Sequence, residues 1–462
     1  MTTQVITTEV LELTRTKAPA LPYAPPVYNT EYHNQLNSIL RLYFNQLDNL
    51  VGQLMASSSA LPITFPENAV DAFGRLVVST PFTLFDSQNR YAADDQFDTA
   101  ITGSGSTTFL PNEATVRMDI GTASGDEVVR QTYRSFPYQP GKGLTFLATF
   151  VMNGPKAGLR QRIGYFNTGN GAFLQRDGTT VSFVLRSSSL PTPGTPSDIN
   201  TVDQADWNVD PMDGTGPSGR VLDLTKDQIL YMDFEWLGTG DVRCGFYVDG
   251  EPAICHIFHN DNVNTSVYMT TAILPVRYEV TNTATTASAS FLKQVCSSVI
   301  NMGGYEQTSS EHVARRSTKR TGFSTTFVPL VSVRLAAGRE GAVALINRAQ
   351  VMPTVTQYYE VVVLKNATLT GASWVAVPSD SNLQYDETAT AVTGGTIMSQ
   401  EYISSTTQSR AAGEIAAGYN WDLQLGASIA GVSDVFTLAI RTLDTTPTGD
   451  AWGVIGLYDL TQ

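Results

Sequence analysis

Charge is scarce in this 462-residue chain. Asp, Glu, Lys and Arg together make up 16% of it, while hydrophobic residues make up 42%. That balance excludes a disordered, self-repelling chain and describes folded domains whose surfaces rely on Thr, Ser, Asn and Gln. Positive charge is the scarcer sign: 29 Lys and Arg stand against 43 Asp and Glu, a net charge of −14. Neutralising phosphates takes clustered cations, so no nucleic-acid partner is expected, and no adsorption to anionic lipid. Cysteine occurs three times, as Cys244, Cys255 and Cys296. An odd, scattered set builds no disulfide framework. Cys244 and Cys255 fall in neighbouring strand-like runs and could face each other, but buried free thiols are the expectation. A run of about 18 apolar residues is missing, so membrane insertion is not expected. The opening Met1-Thr2-Thr3-Gln4-Val5 lacks the basic and apolar segments of a secretory signal, so synthesis in a cytoplasm is expected.

Catalytic patterns are equally thin. There are four histidines, and His256 and His259 are the only two close together. In a strand, an offset of three puts their rings on opposite faces, which opposes a metal pair. Asp233 and Glu235 lie two apart on one strand face, as a glycosidase carboxylate would, but that chemistry needs a partner across a cleft. The glycine-rich stretch 164–171 has no following helix and no Gly-Lys-Ser/Thr ending, so it is no phosphate loop. Residues 119–126 lack the spacing of an EF-hand, although a structural Ca²⁺ in a β-loop stays open. The cluster Phe136-Pro137-Tyr138-Gln139-Pro140 offers either a binding ledge or core packing, and core packing is the expectation. No catalytic, cofactor or metal residue is expected, and the chain is read as a non-enzyme.

What the sequence does have is one conspicuous helix. Leu36, Leu40, Tyr43, Leu47, Leu50 and Leu54 recur at steps of four and three, the apolar spacing of a helix facing a partner. Ile39, Phe44 and Val51 widen the stripe, which suits a three-helix bundle or a broad apolar surface better than a two-stranded coil. Asn29 or Thr30 is placed to cap it, with Glu31 in the first turn. Before it, prolines at 19, 22, 25 and 26 predict an extended arm. After it, short apolar runs punctuated by Gly, Pro and Asn predict strands throughout. Asp177-Gly178 and Asp249-Gly250 each lie between two such runs and read as hairpin turns. Residues 229–257 read as a three-stranded meander, and 190–219 as a long polar loop. The run Arg315-Arg316-Ser317-Thr318-Lys319-Arg320 sits in a connector and reads as a solvated face or a contact with acidic neighbours.

The expected architecture is mainly β. An arm (1–29) and an anchoring helix (30–56) precede a lectin-like jelly roll or β-sandwich (66–305). A linker (306–322) then leads to a smaller C-terminal β-sandwich (323–462).

Two parts of the chain resemble a family of virion structural proteins of tailed bacteriophages, marine cyanophages in particular. One is Tyr28-Asn29-Thr30-Glu31-Tyr32 leading into 40–49. The other is the β-region with Asp71-Ala72-Phe73-Gly74-Arg75-Leu76, Tyr138-Gln139-Pro140-Gly141-Lys142, Arg162-Ile163-Gly164-Tyr165-Phe166, Asp233-Phe234-Glu235-Trp236-Leu237-Gly238 and Gly303-Gly304-Tyr305-Glu306. The resemblance implies a virion component assembled in a host cytoplasm. Its arm and helix would dock to other virion proteins or join copies into a homo-oligomer, a trimer foremost. Its β-domains would project as a tail fibre or spike and contact the host surface, a surface glycan included. A head-decoration or vertex protein and a virion-associated carbohydrate-active enzyme are the alternatives.

Overall fold

The computed structural model describes residues 19, 21–23, 26–59, 80–306, 309–377, 381–405, 413–414 and 423–461, with helix side chains as far as Asp48. The chain divides into two units, Met1–Val78 and Ser79–Gln462.

The first unit holds α1, Thr30–Ser59, one turn longer than its sequence pattern predicts. Asn29 is its cap: its side-chain oxygen accepts from the backbone N–H of Glu31 at 2.8 Å, which satisfies a donor that the first turn leaves free. The Tyr32 hydroxyl donates to the Pro22 carbonyl at 3.2 Å and so ties the proline-rich arm to the helix. Residues 5–11 and 74–78, whose apolar runs predict strands, lie outside the described residues.

The second unit is β-structure. Its first sandwich contains, in chain order, β1 (Phe82–Gln88), β2 (Phe97–Thr102), β3 (Ser106–Leu110), β4 (Thr115–Ile120), β5 (Glu127–Thr132), β6 (Leu144–Met152), β7 (Leu159–Phe166), β8 (Gly171–Asp177), β9 (Thr180–Ser187), β10 (Ser197–Asp203), β11 (Gln228–Phe234), β12 (Val242–Val248), β13 (Glu251–Phe258), β14 (Val276–Asn282) and β15 (Ser290–Asn301). One sheet has the order β13-β12-β11-β6-β15-β4-β3, with β1 also paired to β15. The other has the order β10-β9-β8-β7-β14-β5-β2. Sequence neighbours are interrupted by distant strands, β6 by β15 and β7 by β14, which is the interleaving of a jelly roll. Phe146, Phe150, Tyr165, Phe183, Phe234 and Tyr278 fill the layer between the sheets, each with no exposed surface.

The meander expected at 229–257 is β11-β12-β13. Its second turn places Asp249 and Gly250 at φ of 54° and 88°, the left-handed pair that a type I′ hairpin requires. Five strands of this sandwich, β1, β2, β3, β10 and β15, were not predicted from the sequence, and for β15 and β10 the physical reason is plain. β15 buries Ser290, Gln294, Ser297 and Asn301, so polar residues interrupt its apolar alternation. β10 lies inside the loop predicted at 190–219; it is an edge strand with no buried residue, so its sequence carries no apolar period.

The second sandwich centres on the strand Gly449–Asp459, which pairs with Ser310–Arg315, Arg320–Phe323 and Ala344–Pro353. Its other sheet is built around Val328–Leu335, Gln357–Lys365 and Val435–Thr442. The expected linker at 306–322 therefore contributes two strands, because its backbone groups complete the edge of that central strand. Its basic run forms the turn between them. Arg316 donates to the Leu330 and Glu387 carbonyls at 3.1 and 2.6 Å, and Lys319 meets Asp450 at 2.9 Å. The cations serve the fold itself.

The two sandwiches are joined. Gln424 Nε2 donates to the Ser135 carbonyl at 2.8 Å, the Ala427 N–H to the Tyr133 carbonyl at 2.8 Å, and the Ile429 N–H to Asp98 Oδ2 at 2.7 Å. Gly426 allows this approach: a Cβ there would lie 2.6 Å from the Tyr133 carbonyl oxygen. Gly426→Val is therefore expected to cost about 1–3 kcal/mol and to split calorimetric unfolding into two transitions. One transition at an unchanged Tm would show that the second sandwich does not depend on this contact.

Candidate functional site

The segment after β5 turns sharply at Phe136. That ring is buried and stacks on Phe85 with centroids 4.8 Å apart, so the first residue of the Phe136–Pro140 cluster is core. The next four residues line a cleft of about 590 Å³. Trp236, from the turn after β11, and Tyr305, from the segment leaving β15, add aromatic walls. Leu460 and Thr461 close it from the second sandwich. Pro137 and Tyr138 are buried as well, and Tyr138 shares the core of Phe136, so the expected core packing holds for the first three residues, while Gln139 is half-buried and Pro140 exposed.

The cleft is held by local hydrogen bonds. Lys142 Nζ donates to Gln139 Oε1 at 3.0 Å and to the Gly304 carbonyl at 3.2 Å, and the Glu306 N–H donates to Gln139 Oε1 at 3.0 Å. These contacts pin the 303–306 segment beside the aromatic wall. Tyr138 meets Trp236 edge to face at 5.8 Å, and its hydroxyl accepts from the Leu237 N–H at 3.3 Å. Burial pushes that hydroxyl's pKa up, so it is neutral at ordinary pH. Trp236 Nε1 is a buried donor without an acceptor. Aromatic faces, hydroxyls and an amide around one concavity suit a polar, uncharged ligand with apolar faces. Among the described residues, no histidine or cysteine lines the cleft.

Asp233 and Glu235 do not line it either. Asp233 lies on β11 opposite Arg243 of β12, and that guanidinium lies 3.8 Å from Asp233 and 3.2 Å from Glu235. Thr145 Oγ1 donates to Asp233 at 3.4 Å. Burial raises the pKa of Asp233 against the pull of Arg243. Two carboxylates at the end of one strand, bridged by one cation, form an ion-pair cluster rather than groups on opposite sides of a sugar ring.

His256 and His259 diverge. His256 is buried, accepts the Asn208 N–H on Nδ1 at 3.3 Å and meets the edge of Phe258 at 4.5 Å. Burial first, and His259 second, hold its pKa down at about 4, so it is neutral. His259 is exposed and lies 3.0 Å from Asp241. With Asp261 these two bring ligand-type atoms within 4.8 Å of one another. Such a group can take a divalent cation, and the sequence reading missed it because Asp241 reaches the site through strand pairing. Two of its three members are exposed, and the Asp241–His259 contact is complete without an ion. Cys244 and Cys255 are buried free thiols, and burial raises the pKa of both.

On α1, Leu36, Leu40, Tyr43 and Leu47 share one face and are half-buried, with Ile39 beside them. Phe44, expected to widen that stripe, is 58% exposed. Asn34, Asn37 and Asn45 on the far side are exposed. The side chains of Leu50, Val51 and Leu54 lie outside the described residues.

No family model and no curated protein matches the chain. Among solved structures it is similar to the carbohydrate recognition domain of Emp47p (10% identity, 52% of this chain and 99% of that one, TM-score 0.29). It is similar also to the Bacillus licheniformis β-glucanase (11%, 47% and 97%, TM-score 0.29). A third is the CBM2 module of the evolved Dit of Lactobacillus casei BL23 phage J-1 (6%, 50% and 100%, TM-score 0.31). At these scores the likenesses carry no argument about this chain.

Replacing two seam residues together, Leu40→Asp with Leu47→Asp, is expected to reduce the sedimentation mass of the protein to that of one chain. An unchanged mass would make the seam an intrachain packing face.

Proposed function

We propose that this chain is a non-catalytic structural protein of a bacteriophage particle, whose helix unit attaches it or joins its copies and whose β-unit meets a glycan on the host surface. The resemblance of residues 28–49 and of the β-region to phage virion proteins supports the particle role. The observation that carries the glycan role is the cleft: Tyr138, Trp236 and Tyr305 stand among Thr271, Gln139 and Thr461. Sugars present C–H faces that pack on aromatic rings and hydroxyls that pair with amides and hydroxyls, and a preformed concavity limits the entropy lost on binding. The half-buried seam of α1 supports docking, with a trimer as the favoured assembly. A tail fibre or spike is the favoured position and a head decoration the second. The bridging of Asp233 and Glu235 by Arg243 disfavours the reading as a carbohydrate-active enzyme.

Trp236→Ala is expected to weaken binding to purified host surface polysaccharide by about tenfold, read by calorimetry, through loss of one stacking face. Equal affinity in wild type and variant would remove the cleft as the glycan site. Gold-labelled antibody against the second sandwich should decorate virion tails in electron micrographs. Label spread over the heads would move the protein to a capsid role, and unlabelled virions would overturn the particle reading.

A further inference from the structure

The outer face of the seven-stranded sheet carries a cationic network that the cleft does not use. Strand register places its members together: Glu279 of β14 lies opposite Arg162 of β7, and Arg186 of β9 lies opposite Asp198 of β10. One oxygen of Glu279 takes Arg160 at 3.3 Å and Arg162 at 3.4 Å, and the other takes Arg277 at 3.1 Å. Asp198 takes Arg186 at 2.7 Å and Arg162 at 3.6 Å. Four guanidiniums thus share two carboxylates directly, with Asp177 and Asp203 standing at the border of the network.

The guanidiniums also serve as the outer cover of the sheet. Arg162 and Arg186 lie over the ring of Phe173 at 5.0 and 5.1 Å, and Arg277 over Phe166 at 5.7 Å. Phe166, Phe173 and Val184 form a small buried cluster of their own beneath them. Flat, weakly hydrated guanidinium is the cation suited to covering aromatic rings. Arg162 and Arg277 are fully engaged, since Gln175 takes Arg162 Nε at 2.7 Å and Gln131 takes Arg277 Nη1 at 2.9 Å. Arg160 and Arg186 are not. Arg160 Nε is buried without an acceptor, and the two side chains retain 25% and 16% exposure. Burial opposes ionisation of Glu279, but the three guanidiniums outweigh it and hold its pKa low. Burial also lowers Arg162 to about 10, with repulsion from Arg160 and Arg186 adding to the effect. Such a cluster gains from a further anion.

We infer that this face binds an acidic polysaccharide, with spaced sugar carboxylates meeting Arg160 and Arg186 and sugar hydroxyls meeting Gln131 and Gln175. The border selects for spaced charge. Asp177 lies opposite Arg160, and Asp203 extends the Arg162–Gln175–Ser182 row, so carboxylates stand at the margin of the network. A dense polyphosphate would run its charges across those carboxylates, whereas a uronate polymer places neutral, hydroxylated units between its own. This surface is separate from the Trp236 cleft, and its occupancy does not require that the cleft bind sugar.

The test is affinity electrophoresis of the full chain through gels containing polygalacturonate, dextran or polyphosphate. Wild type should be retarded by polygalacturonate, increasingly so at low salt, and not by dextran. Arg160→Gln with Arg186→Gln should weaken the polygalacturonate interaction by tenfold or more while keeping the wild-type circular dichroism. Trp236→Ala should leave it unchanged, which separates failure of this inference from failure of the cleft. Lack of retardation of wild type by polygalacturonate would overturn the inference, as would equal retardation of the double variant or stronger retardation by polyphosphate. Should the double variant fail to fold, Arg186→Gln alone should still lower the affinity and its salt dependence, and an unaltered salt dependence would overturn the inference.

Discussion

The architecture of the β-unit depends on one backbone contact. The Ala427 N–H and the Gln424 side chain donate to carbonyls in the 133–135 segment of the first sandwich. These are peptide groups at the end of β5 that have left their own sheet and would otherwise be solvated. Satisfying them from the second sandwich recovers hydrogen bonds that a buried interface would forfeit. It also fixes the start of the segment that carries Tyr138 and Gln139. Gly426 sits at the closest approach, where a side chain would meet the Tyr133 carbonyl. A cleft with walls from both sandwiches follows from that docking.

The low charge content has a structural counterpart. Cations that look free in the sequence are consumed internally. The basic run at 315–320 binds carbonyls and acids of its own sandwich. Arg243 neutralises two carboxylates at the end of β11. The network around Glu279 covers aromatic rings on an outer sheet face. With three guanidiniums on one carboxylate, removing that carboxylate would leave uncompensated buried charge, the costliest way to disturb such a cluster. A protein with few charged residues has thus concentrated several of them where the dielectric is low.

The reading from sequence was strongest where one local rule decides the outcome. The Asp-Gly turns, the 229–257 meander and β6 follow from turn chemistry and a continuous apolar run. The α1 helix and its Asn29 cap follow from apolar spacing and the needs of a first turn. It was weakest where burial contradicts polarity. β15 is a central strand made partly of Ser, Gln and Asn, and two of these find partners far away in the sequence: Gln294 Oε1 accepts from Arg130 Nε at 2.7 Å and Ser290 Oγ from Lys156 Nζ at 2.9 Å. The linker at 306–322 failed for a related reason: a polar, basic stretch carries no apolar period, yet its backbone completes the edge of Gly449–Asp459. Trp236 was seen only as part of a strand, because the cleft beside it needs Tyr305 and Thr461 from elsewhere in the chain.

The sequence by itself determined the β class, the long helix ahead of the β-region and the hairpin turns. Each rests on interactions within a few residues, or on counts. Tertiary structure alone decided that the two sandwiches form one body, that Tyr138 and Trp236 meet beside a cleft, and that Glu279 gathers three arginines. Each of those outcomes depends on strand order and register, which bring together residues far apart in the chain and which local periodicity does not encode.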